Sequence, residues 1–92
     1  MSVKIVGKVL PKISLDDLEH VIAVQISKSL RTDFPTIKVA ATVLATEVEI
    51  SLETLKKWYN GKNTPSAANL IVLARNSPAV RAALIELIDR MV

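Results

Sequence analysis

The chain contains no cysteine, which excludes a disulfide framework and every thiolate metal site, zinc fingers among them. It carries a single histidine, His20, so a histidine-based metal site has no second imidazole, and a nucleophile that needs a base and an orienting group has only that one imidazole to draw on. Aromatic residues are scarce: Phe34, Trp58 and Tyr59 are the whole set, and Trp58 has no second ring with which to build a stacking platform. Glycine occurs only at Gly7 and Gly61, so there is no glycine-rich catalytic turn. No apolar run approaches membrane-spanning length. The apolar first ten residues are broken by Lys4, Gly7 and Lys8 with no small-residue cleavage site behind them, so a signal peptide is not expected. The lack of cysteine fits a reducing cytosol, and a cytoplasmic location is the expectation.

What is present is a chain of 92 residues, half of them apolar, the size of one domain able to bury a modest core without staples. With so few rings, that core must be built from Leu, Ile, Val and Ala, a palette that suits a small all-α fold. The net charge of +3 is compatible with a polyanionic partner but is far from histone-like basicity, so the placement of charge decides.

Residues 1–13 mix β-branched residues with Gly7 and Pro11 and have no helical period, which predicts an extended arm or short strand. Val3, Ile5 and Val9 alternate with Lys4 and Lys8, suiting strand pairing with a partner chain; an arm without fixed structure is the other reading. The domain proper, residues 14–92, opens at Ser14, a helix cap followed by Asp16 and Asp17 at the positive end of the helix dipole. Leu15, Leu18, Ile22 and Ile26 follow at three- and four-residue steps, widened by Val21 and Leu30, and predict a buried stripe on a first helix that Pro35 ends, with Thr32 and Asp33 in the connection.

From Thr36 to Glu47 the chain is alanine-rich without a breaker, predicting a second helix. Ser51 caps a third over about 52–59, and Asn60-Gly61 stops it, because glycine accepts the left-handed conformation at little cost. Pro65-Ser66 starts a fourth helix, and Ser77-Pro78 caps and opens a fifth, proline being suited to the first helical position. Five short helices and an arm result, without repeats or a linker long enough to divide domains.

Residues 41–60 have the pattern of two helices meeting across a turn: Leu44, Val48, Ile50, Leu55 and Trp58 are apolar, and Ala45 is small where the second helix would cross the third. That spacing leaves Leu52, Glu53, Lys56 and Lys57 facing outward. The stretch VLATEVEISLETLKKWYNGKNTPSAANLIVLAR adds a Trp-x-x-Gly-Lys-x-x-Pro-Ser run from Trp58 to Ser66 and a following Leu/Ala helix. Over roughly residues 36 to 76 the chain thereby resembles the lambda-repressor-like (Xre-type) helix-turn-helix family, small regulators of prophages, plasmids and other mobile elements.

The resemblance implies double-stranded DNA as partner, with the third helix in the major groove. Leu52, Glu53 and Lys57 would face bases, with Lys56 at the groove edge. The residue types allow it: lysine donates to guanine O6 and N7, glutamate accepts from cytosine N4, and leucine can touch a thymine methyl. Asn60, Lys62, Asn63 and Thr64 would meet the sugar-phosphate backbone, with Lys38 a weaker candidate. Tyr59 has two readings, packing or a phosphate hydrogen bond.

The fifth helix carries Val80, Leu84, Leu87, Ile88 and Met91, which can either complete the monomer's core or form a dimer seam; a homodimer is expected because one short recognition helix rarely gives enough affinity alone. Asp16, Asp17 and Glu19 serve as capping and dipole groups rather than an acid/base pair or a metal cluster. No enzyme, metal, cofactor or small-molecule ligand is expected. The reading that results is a sequence-specific DNA-binding transcriptional regulator, a repressor of a mobile-element or plasmid promoter. The alternatives are the same scaffold used as a protein-binding module, such as an antiactivator or antitoxin, and an excisionase-like recombination accessory.

Overall fold

Every helix begins at a serine or threonine. Ser14, Thr36, Ser51 and Ser66 each accept a hydrogen bond from the backbone N–H three residues on, at 3.0, 3.1, 3.1 and 3.4 Å, and Ser77 accepts from Val80 N–H at 3.1 Å. Each hydroxyl satisfies one of the donors that a helix start leaves unpaired. In the computed structural model, which describes residues 14–90, these caps open α1 (Leu15–Asp33), α2 (Ile37–Leu44), α3 (Leu52–Tyr59), α4 (Ala67–Asn76) and α5 (Pro78–Arg90). The described residues are all-α, with no strand among them. The arm over residues 1–13, and Met91, lie outside the described residues.

Two boundaries differ from the sequence expectation. The first helix takes in Thr32 and Asp33: Thr32 turns its hydroxyl back on Lys28 O at 2.9 Å, and Phe34 N–H still reaches Leu30 O. The second helix stops at Leu44 rather than Glu47. Thr46 donates its hydroxyl to Val43 O at 2.7 Å, competing with the backbone ladder, and Glu47 N–H closes on Leu44 O in a tightened turn. Ala45 is consequently an exposed cap instead of the small residue at a crossing. The fully buried alanine is Ala40.

Each helix contributes at least one fully enclosed aliphatic side chain: Ile26 and Leu30 from α1, Leu44 from α2, Leu55 from α3, Leu73 from α4 and Val80 from α5. Phe34, Trp58 and Tyr59 close round this centre. Helix α1 is the spine, packed against α5 on one side and α3 on another, while α4 lies on α5 and α2 bridges α3 and α4. Of the stripe expected on α1, Ile22, Ile26 and Leu30 face the core, joined there by Ala23 and Ser29. Leu15 is 77% exposed, because no described element covers the first turn, and Val21 is 36% exposed. None of the described helices is long and apolar enough to cross a membrane.

Candidate nucleic-acid interface

Helix α3 has two faces set by its spacing. Leu55, Trp58 and Tyr59 point into the core, while Leu52, Glu53, Lys56 and Lys57 are exposed together on the opposite side, as expected. At eight residues it is about 12 Å long, too short to be stable alone. Its orientation is therefore imposed by what holds its ends.

The N-terminal end is held by Ser51, whose hydroxyl meets both Thr54 N–H and the Thr54 hydroxyl, at 3.1 and 2.9 Å. The C-terminal end closes in two stages. Gly61, at φ +71°, lets Lys62 N–H reach back to Lys57 O at 2.8 Å and Gly61 N–H to Trp58 O at 3.2 Å, the paired bonds of a glycine-terminated helix. Helix α1 then supplies the remaining donors. Ser27 donates its hydroxyl to Tyr59 O at 2.6 Å, and Arg31 donates Nε–H to the same carbonyl at 3.1 Å and Nη2–H to Asn60 Oδ1 at 2.8 Å.

The Arg31 guanidinium also lies 4.6 Å from the centre of the Tyr59 ring. A cation at the carbonyl end of a helix is favourable, and stacking on the ring adds to it. Neither Arg31 nor Ser27 was expected in this role. The one available signal was their four-residue separation, which puts both on one face of α1.

Tyr59 is a packing residue. It is buried, and its hydroxyl donates to Phe34 O at 2.8 Å, tying α3 to the end of α1 and leaving no proton for a phosphate. Thr64 donates its hydroxyl to Glu19 O at 2.6 Å, so it fixes the loop after α3 to α1 instead of offering a free donor. Asn60 has its side-chain oxygen engaged by Arg31, which leaves the amide nitrogen as the group able to meet an anion. Lys62 and Asn63 are exposed on this anchored loop, and Lys38 is exposed in the first turn of α2. Leu52, Glu53, Lys56, Lys57, Lys62 and Asn63 are thus the exposed candidates around α3, with the amide nitrogen of Asn60 beside them.

Acidic groups share the neighbourhood. Glu47 pairs with Arg75 of α4 at 3.3 Å, which occupies it locally, whereas Glu49 and Glu53 stay exposed. The face is thus mixed in sign, and its lysines stand on the outer side of α3 and on the loop behind it.

Helix α5 does not present the expected seam as a unit. Val80 is fully buried and Leu84 packs against the core, so both are spent on the monomer; Leu87 is half-buried, and Ile88 alone of the described set is exposed, at 64%. The registry follows from Ser77. This fully buried serine donates to the Asp33 carboxylate at 2.5 Å, and Ala79 N–H reaches the same oxygen at 2.9 Å, which turns Val80 and Leu84 inward and Ala82, Ile85 and Ile88 outward. No protein-family model matches the chain, and no curated protein or solved structure matches it either.

Proposed function

We propose that the protein is a sequence-specific double-stranded DNA-binding regulator that lays α3 in the major groove. One observation carries this reading: α3 is pinned at both ends with its apolar side in the core, so that Leu52, Glu53, Lys56 and Lys57 stand outward together. The B-DNA major groove, about 12 Å wide, admits one such helix. Preorganised elements recognise better than mobile ones, because the ordering cost is met during folding. Lys62, on a loop anchored through Gly61 and Thr64, is suited to a phosphate, and Lys38 to a neighbouring one. The resemblance of Trp58 to Ser66 to the lambda-repressor-like pattern supports the same assignment, and with it the role of a repressor in the cytoplasm of a bacterium or in a phage-infected cell.

A second copy completes the reading. The outward stripe of α5 is self-complementary: if two α5 helices pair antiparallel about Ile85, Arg81 faces Asp89 of the other copy and Ala82 faces Ile88, and all five are exposed. A twofold contact of this kind needs one surface patch that matches itself. The use of the scaffold as a protein-binding module draws on the same exposed Ile85 and Ile88, and on Ile71 of α4 at 63% exposure.

Selection from random-sequence duplexes followed by anisotropy titrations at several salt concentrations separates the two. Under the DNA reading one sequence is enriched, Lys57→Ala relaxes its base preference, and Lys62→Ala reduces the salt slope by about 0.9 per subunit. No enrichment together with a flat salt response refutes it and leaves the protein-binding module.

A further inference from the structure

The sign of the surface changes along α3. Glu47 and Glu49 precede the helix and Glu53 lies in its first turn, whereas Lys56 and Lys57 lie in its last. From Thr54 to Ile85 the sequence contains no carboxylate, and on α1 none occurs from His20 to Thr32. Asp33, which follows, is engaged at the start of α5. The two positive stretches meet where α1 holds the C-terminal end of α3. Lys28 and Arg31 stand one turn apart on α1, both exposed, and Arg31 reaches Asn60, three residues after Lys57 and two before Lys62.

The bonds of Arg31 leave half of it unused. The Nε edge of the guanidinium is spent, with Nε–H on Tyr59 O and one Nη2–H on Asn60 Oδ1. The other edge, Nη1 with the second Nη2–H, meets no acceptor among the described residues. That edge is a planar fork of N–H groups, the geometry that takes two oxygens of a phosphate. Its plane is set before a ligand arrives, by the Tyr59 ring at 4.6 Å as well as by the two bonds. Arginine has no acceptor, so Asn60 turns its oxygen to the guanidinium and keeps its amide N–H groups for another partner. We infer that Arg31 has a second role: together with the Asn60 amide it seats one phosphate of the DNA backbone at the C-terminal end of α3, with Lys28 adding charge behind it. The inference rests on the DNA-binding reading and adds to it a contact made from α1.

The full chain is used to select a duplex from a random library, and affinities for that duplex are read by fluorescence anisotropy at several salt concentrations. Arg31→Gln should lower the salt slope by about 0.9 per subunit, the loss of one neutralised phosphate, whereas Arg31→Lys should keep the slope because it keeps the charge. The duplex is then resynthesised with an uncharged methylphosphonate replacing one phosphate at a time. A single position per half-site should weaken wild-type binding and be indifferent in Arg31→Gln. Asn60→Asp keeps an oxygen for Arg31, and with it the hold on α3, but sets a carboxylate against the phosphate. It should bind the unmodified duplex about tenfold more weakly and lose that deficit on the duplex whose methylphosphonate lies at the same position.

An unchanged slope and an unchanged methylphosphonate profile in Arg31→Gln overturn the phosphate seat and leave Arg31 a strut for α3. If circular dichroism shows Arg31→Gln unfolded, Asn60→Asp decides alone: a deficit equal on every duplex overturns the seat. Failure to enrich any duplex overturns the DNA-binding reading, and the seat with it.

Discussion

Replacing Asp33 by alanine tests how α5 is seated. Its carboxylate accepts two hydrogen bonds at the start of that helix, from the Ser77 hydroxyl at 2.5 Å and from Ala79 N–H at 2.9 Å, while Ser77 in turn accepts from Val80 N–H. Ser77 is fully buried, so without Asp33 its hydroxyl has no water to turn to, a loss of about 1–2 kcal/mol. Ala79 is half-buried and its N–H can be partly rehydrated, for about 0.5–1 kcal/mol. Removing a negative charge from a helix N-terminus adds roughly 0.3–1 kcal/mol.

The sum for Asp33→Ala is about 3 kcal/mol, a large share of the roughly 5–10 kcal/mol that holds a small domain together. Ser77→Ala should cost about 2 kcal/mol, because it strips the cap from Val80 N–H. The two substitutions destroy one shared bond, so the double variant should fall short of the sum by about 1–2 kcal/mol. Urea titrations followed by circular dichroism at 222 nm measure all three. A loss below about 0.5 kcal/mol for Asp33→Ala, or additivity within about 0.3 kcal/mol, would refute this account of the α1–α5 junction.

Gly61→Ala should destabilise by only about 1–2 kcal/mol, the backbone cost of φ +71°. The added Cβ would sit 3.5 Å from Ser27 Cβ in ordinary contact, so a measured urea-denaturation loss well above that range would contradict the steric reading. Ile85→Glu should abolish self-association in sedimentation velocity and leave unfolding stability within about 0.5 kcal/mol, since the side chain is half exposed; a dimer that persists excludes the α5 seam.

The helix starts were legible because their cause is local. A hydroxyl at Ser14, Thr36, Ser51, Ser66 or Ser77 needs only the backbone three residues away, and the glycine stop at Gly61 needs only its own φ. The outward set on α3 was legible for the same reason, from the step between Leu55, Trp58 and Tyr59. The α1 stripe was legible in part, at Ile22, Ile26 and Leu30, and the α5 seam was not. On α1 and α5 so many positions are aliphatic that several stripes fit the helical period, and the choice is made by partners distant in sequence. Asp33 at the start of α5 turns Val80 and Leu84 inward, a decision that no window around residue 80 contains. The length of α2 was misjudged because its alanines argue for continuation, whereas Thr46 can satisfy Val43 O itself and end the ladder.

The same distinction bears on how the eight-residue α3 acquires a fixed direction. Ser27, Arg31 and the backbone of Glu19 lie on α1, and their bonds to Tyr59, Asn60 and Thr64 span 28 to 45 residues of chain. They are cross-links between helices rather than features of α3, so the exposed groups of α3 and the groups that orient the helix occupy different parts of the sequence. Separation of this kind lets Leu52, Glu53, Lys56 and Lys57 vary without disturbing the fold, since none of the four is buried. Arg31 has no such freedom: lysine offers a point charge in place of the planar fork that reaches Tyr59 O and Asn60 Oδ1 together while lying over the Tyr59 ring. The exposed face of α3 is thus free to change only as long as α1 keeps the residues that orient the helix.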